Sequence, residues 1–202
     1  FSVDLNLTAS RTVNERPDSG ANVVDMLSLN PTLSPFTNGE PSFFDERLNP
    51  LVRNRIYTDE AVSNRILANI LPSYEIIKGL TYKMNLGIDY ISTTRDQQRS
   101  PFNLIEGFEF GFLNSSATVN SNTLIENTLT YTFEKGDHNV TLLGGHSYQE
   151  TTFEQKQFQL EGFADNGIEP RYQDQISTDV FPTTLNSGAF INELESYFGR
   201  VN

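Results

Sequence analysis

Two histidines and a surplus of carboxylates are the residues of this chain with the widest chemical scope. His138 lies in a glycine-containing turn and His146 in a strand-like stretch; neither has a second histidine at metal-ligand spacing, and the chain has no cysteine. A metal centre is therefore not expected. Gly145-His146-Ser147-Tyr148 holds part of a nucleophile elbow but lacks its closing glycine and its strand-to-helix setting. No glycine loop able to cradle a phosphate is present, and Asp165-Asn166-Gly167 is too short for a calcium loop. Asp89 and Glu126 remain as a carboxylate pair. A glycosidase needs two such groups at a defined separation in a cleft. Both fall on polar faces of strand-like stretches, where a hydrated surface is the plainer account. No catalytic residue and no cofactor is expected.

The aromatic residues of one loop-like stretch are the second candidate. Phe102, Phe108, Phe110 and Phe112 are interleaved with Gly107 and Gly111. Exposed rings of this kind stack on sugars or grip a peptide, and loops on rigid scaffolds tend to carry function. The same rings are equally suited to packing the loop against its neighbours. Two acceptor triplets for glycosylation, Asn6-Leu7-Thr8 and Asn139-Val140-Thr141, lie inside strand-like stretches, where surface modification is not expected.

The elements that must position these residues announce themselves by period-two alternation. Six stretches show it: residues 1–13, 65–76, 80–92, 123–133, 139–153 and 194–202. The third is the clearest, with Leu80, Tyr82, Met84, Leu86, Ile88 and Tyr90 against Thr81, Lys83, Asn85 and Asp89. Such lengths exceed the usual globular strand and suit one that crosses a membrane. Ile77-Lys78-Gly79 and Glu134-Lys135-Gly136-Asp137-His138 give two tight connections; residues 14–64, 93–122 and 154–193 give three long ones. Short periplasmic turns alternating with long extracellular loops are the habit of outer-membrane barrels. Tyr74, Tyr90, Tyr131 and Phe133 sit near strand ends, as an interfacial girdle requires and as β-propensity also allows. Ser19 can cap a short helix in the first long loop, with Pro31 ending it; Pro35, Pro41 and Pro50 then suggest a stiff, non-repetitive path.

Composition agrees. Of 202 residues 37% are hydrophobic, yet 15 Phe and 8 Tyr are present, so the chain is polar on average but too rich in rings for disorder. Its net charge of -12 argues against nucleic acid and against adsorption through a polybasic patch. No apolar run is long enough for a transmembrane helix, and no signal peptide is visible. The chain opens and closes inside strand-like patterns, so both ends are expected to be cuts in a longer protein. The expected fold is all-β: an antiparallel meander of about six long strands forming part of a large transmembrane β-barrel with long extracellular loops. A soluble or surface-exposed β-sandwich for binding or adhesion is the competing expectation, and a polysaccharide-active enzyme a third.

Several segments carry a family likeness. Asn64-Arg65-Ile66-Leu67-Ala68-Asn69-Ile70, Tyr74-Glu75-Ile76-Ile77-Lys78-Gly79-Leu80 and Asn85-Leu86-Gly87-Ile88-Asp89-Tyr90 resemble barrel strands of the SusC/RagA-like TonB-linked outer-membrane proteins of Bacteroidetes. So do Asn127-Thr128-Leu129-Thr130-Tyr131, Gly144-Gly145-His146-Ser147-Tyr148-Gln149 and Leu194 to Asn202, and in the first loop Asn30-Pro31-Thr32 and Asn49-Pro50-Leu51. The resemblance implies a plugged barrel of roughly 22 strands. It implies import of oligosaccharides or peptides across the outer membrane, energised through TonB, with a SusD-like surface lipoprotein as lid. No plug domain or TonB-contacting box is seen, so residues 1–202 are expected to be a partial barrel domain. On this reading Asp89, Glu126 and Arg200 face the lumen, and Phe102, Phe108, Phe110 and Phe112 meet ligand or lid.

Overall fold

The computed structural model describes residues 1–42, 44, 48–103, 106–136, 138–173 and 180–202. Six long strands form one antiparallel sheet: β1 (Ser2–Glu15), β4 (Tyr57–Ile77), β5 (Leu80–Arg99), β6 (Gly111–Lys135), β7 (His138–Phe163) and β8 (Phe181–Val201). They lie in chain order, each paired with its neighbours. A two-residue ribbon, β2 (Phe36–Thr37) with β3 (Glu40–Pro41), and two helices, α1 (Ser19–Ser28) and α2 (Pro50–Ile56), occupy the first long loop.

Every expected strand is present and longer than the alternation suggested. β7 runs 26 residues, roughly 85 Å at about 3.3 Å per residue, well beyond the 9–11 residues that a membrane crossing needs. The loops shrink accordingly, to residues 16–56, 100–110 and 164–180. Two tight turns join the other ends. In the first, Gly79 has φ 84, and its N–H donates to the Glu75 carboxylate at 3.0 Å. A side chain at Gly79 would also run into the Thr132 carbonyl of the next strand. In the second, Gly136 has φ 64; Asp137 lies outside the described residues.

Residues directly opposite one another in a sheet share a face. The register therefore sorts all six strands together. One face carries Asn6, Thr8, Arg65, Asn69, Asn85, Asp89, Asn122, Glu126, Gln149, Thr151 and Arg200. The other carries Leu5, Leu7, Ile66, Ile70, Leu86, Ile88, Ile125, Leu129 and Leu142. The apolar band on that face is open: Leu5 and Leu7 are each 66% exposed and Ile70 44%. A sandwich would need a second sheet here, and the only other sheet among the described residues is the small β2–β3 ribbon.

The apolar band steps along the sheet. Tyr90 ends it on β5, Tyr148 on β7 and Tyr197 on β8, where Glu150 and Glu195 follow. The rung of Tyr90 passes through Ser121 and meets β7 at Thr152, four residues from Tyr148. The rung of Tyr148 meets β8 at Glu195, two residues from Tyr197. A level band can cross rungs in this way only if the strands tilt, as closure into a barrel demands.

Two sequence expectations for the first loop need correction. Asp18, not Ser19, holds the cap position of α1. Pro50 does not continue an irregular path but opens α2, its fixed φ suiting the first helical position. Asn49 caps that helix by accepting from the Leu51 N–H at 3.0 Å, and its own amide donates to the carbonyls of Pro35 and Ser42.

Candidate functional site

The loops gather at the end of the sheet opposite the tight turns. In the first, α1 and α2 are tied by Arg53, whose guanidinium meets Asp18 at 3.2 Å and Asp25 at 2.8 Å. α2 turns Val52 and Ile56 inward to form a small apolar cluster with Leu48, and Phe102 and Phe108 of the second loop pack on it. Arg99, the last residue of β5, completes the junction. Its guanidinium lies 4.4 Å from the centre of the Phe108 ring and 5.4 Å from that of Phe112. One of its nitrogens donates to the Phe110 carbonyl at 3.1 Å. Its Nε is closed off from solvent without a partner among the described residues. Burial holds the guanidinium below its ordinary pKa, with the nearby charge of Arg53 acting the same way and Glu161 and Glu109 opposing.

Beneath this junction, on the same polar face, Asp59 is 4% exposed and receives both arms of Arg95, at 2.7 and 2.6 Å. Gln97 adds a longer bond to Asp59 and bonds onward to Asn114. The bonds from Arg95 are the main reason that the Asp59 carboxyl sits below the usual carboxylate range.

The third loop docks on the opposite face. Gln98, one residue before Arg99, points there and is 1% exposed. Its amide nitrogen donates to Glu169 at 2.6 Å, and its oxygen accepts from the Arg171 N–H at 2.9 Å. Leu113, Phe163 and Val180 form the apolar patch beside it. The end of β5 is thus clasped from both sides.

The sequence candidates fall into place unevenly. Phe102 and Phe108 serve the loop packing, Phe112 lies beside Arg99, and only Phe110 stands out, 55% exposed. Asp89 is held by Arg65 through two bonds of 2.8 and 2.6 Å. Glu126 faces Asn85 while Asp89 faces Asn122, so the two carboxylates are about 13 Å apart along the sheet. That is too far for the carboxylate pair of a glycosidase. Glu126 lines a groove of about 310 Å³, of mixed polar and apolar character, with Asp4, Lys83, Met84 and Leu71. Arg200 pairs with Leu143, far across the sheet from both. These three share a face, not a site. Asp59 and Gln98 escape a sequence reading because their partners lie tens of residues away, and Arg99 and Glu161 because no recognised spacing marks them.

A single sheet of tilted strands, with an apolar band open on one face, a polar surface on the other and long loops gathered at one end, is a section of an outer-membrane β-barrel. The chain belongs to the TonB-dependent receptors. No family model matches it. TonB-dependent receptor P3 of Formosa agariphila is 32% identical over 167 residues, which cover 80% of this chain and 16% of that protein. The chain thus spans about a sixth of the curated relative that it matches. Solved structures share its fold, two of them as follows. The RagAB peptide transporter has a TM-score of 0.71 at 18% identity, over 99% of this chain and 24% of that one. The RagAB peptide importer in its closed-closed state has a TM-score of 0.71 at 19% identity, with the same coverage.

Proposed function

We propose that this chain is a stretch of wall and external loops in a TonB-dependent transporter of the outer membrane. The stepped apolar band carries the reading. It gives the uncovered face a lipid contact between the lower girdle at Tyr74, Tyr82 and Tyr131 and the upper one at Tyr90, Tyr148 and Tyr197. The polar face, with Asp89, Glu126 and Arg200, then lines the lumen, and the clasped loops stand outside the cell. Residues 1–202 are on this view a partial barrel domain. Plug and energy coupling through TonB belong to the whole receptor.

The work is binding and gating, with no covalent step. Oligosaccharides and peptides are the substrate classes of the resemblance. The likeness in fold to a peptide importer favours peptides, and a SusD-like lipoprotein would cover the loop end as lid. The test is uptake by cells lacking the full receptor, with a labelled oligopeptide mixture and a labelled oligosaccharide. Loss of energy-dependent peptide uptake, restored by complementation, is expected. Loss confined to the oligosaccharide overturns the peptide assignment, and loss of neither overturns transport.

A further inference from the structure

On the polar face at the loop end lies a cavity of about 480 Å³, lined by Arg99, Glu109, Phe110, Gln159, Glu161 and Phe181 among others. Glu161 and Phe181 sit opposite each other on β7 and β8. Phe110 and Phe181 are 55% and 53% exposed, so the cavity is flanked by two open rings. Among the described residues each carboxylate is bound through one oxygen: Glu109 accepts from the Gly107 N–H at 2.9 Å, and Glu161 from the Gln159 amide at 2.8 Å. Neither forms an ion pair among the described residues. Among the described residues Arg99 is the one cation lining the cavity, and its Nη2 donates to the Gly107 and Phe110 carbonyls.

We propose that this cavity binds the basic side chain of a lysine or arginine residue within a peptide. Two carboxylates against one guanidinium leave the cavity with a negative balance. Each carboxylate keeps one oxygen free to accept a charge-assisted bond from an ammonium or guanidinium. The open faces of Phe110 and Phe181 suit a long alkyl stem and a cationic head, through apolar contact and the ring quadrupole. A neutral sugar would use the rings but leave the negative balance unmatched. The inference rests on the transporter reading for its biological meaning but concerns binding alone.

The test uses the purified full-length receptor in detergent and three capped tripeptides, Ala-Lys-Ala, Ala-norleucine-Ala and Ala-Glu-Ala, with cellotriose as neutral sugar. Titration calorimetry is expected to give binding of the lysine peptide at least about tenfold tighter than that of its norleucine isostere. The double substitution Glu109→Gln with Glu161→Gln should bring the two within about twofold, and Phe110→Ala should weaken both. Retained heat-modifiable migration on gels identifies variants that still fold as barrels. Equal affinity for the lysine and norleucine peptides overturns the proposal, as does a preference that survives the double substitution. So does tighter binding of cellotriose, or no measurable binding of the lysine peptide. Selective binding without uptake would count against transport and leave the site standing.

Discussion

The central carbon of the Arg99 guanidinium lies 4.4 Å from the centre of the Phe108 ring. This contact joins the end of a strand to the middle of the second loop, and through Phe108 to α2. Phe108 therefore holds the loop while Phe110 is presented by it. Phe108→Ala should destabilise the loop region locally by about 1–2 kcal/mol, whereas Phe110→Ala should leave it unchanged. Hydrogen exchange across residues 100–112 in the full receptor reads the difference. Equal effects of the two substitutions would contradict the division of roles.

Asp59 and Arg95 make the same end of the sheet sensitive to acid. The folded carboxyl is depressed below its ordinary value, first by the hydrogen bonds from Arg95. A depressed value means that the folded state binds its proton less readily than the unfolded state does. The stabilisation is complete above the unfolded value near pH 4 and is lost as pH falls through the lower folded value. Protection at residues 57–60 and 95–98, corrected for the intrinsic pH dependence of exchange, should stay level from pH 8 to about 5 and fall in stronger acid. Asp59→Asn should flatten that acid response, and Arg95→Met should loosen the site at neutral pH by roughly 1–3 kcal/mol.

Gln98 anchors the third loop from the other face. Gln98→Ala removes two bonds, to Glu169 and from the Arg171 N–H, from a residue that is 1% exposed. The turn at Pro170–Tyr172 should lose about 1–2 kcal/mol of protection. Gln98→Glu should cost more, since it sets a second carboxylate against Glu169. Limited proteolysis within residues 164–173 measures both.

Gly145 lies beneath the Phe198 ring, where a Cβ would collide with the ring carbons. Gly145→Ala should cost about 1–3 kcal/mol by displacing Phe198. Gly144→Ala, with open space at its Cβ position, should cost far less. Denaturant or thermal unfolding of the receptor, followed by gel migration, separates them.

Much of the sheet was legible in the sequence because contrast between faces was written where one face is apolar. Leu80 to Tyr90 alternates with polar residues and defined its strand well. Beyond the band the contrast stops: Ser63 and Asn64, or Thr93 and Thr94, are polar on both faces, so the outer halves of β4 and β5 carry no period although their ladders continue. Pro50 misled because its meaning depends on Asn49, whose bond to the Leu51 N–H makes the proline a helix opener. The site was less legible than the sheet. Asp89 and Glu126 share a face by strand parity, but Arg99 with Phe108 and Gln98 with Glu169 depend on how loops fold back, which local pattern does not encode.

In the proposed barrel one face of this sheet meets water inside and the other meets lipid. The chain has no cysteine, so single ones can be placed at Asn120 on the polar face and at Ile88 on the apolar face of a cysteine-free full receptor. The measurement is labelling by a charged, membrane-impermeant maleimide in isolated outer membranes, before and after detergent extraction. Asn120→Cys is expected to label in both conditions and Ile88→Cys to stay unlabelled until the lipid is removed. Ready labelling of Ile88→Cys in the intact membrane, or protection of Asn120→Cys by lipid, would contradict it.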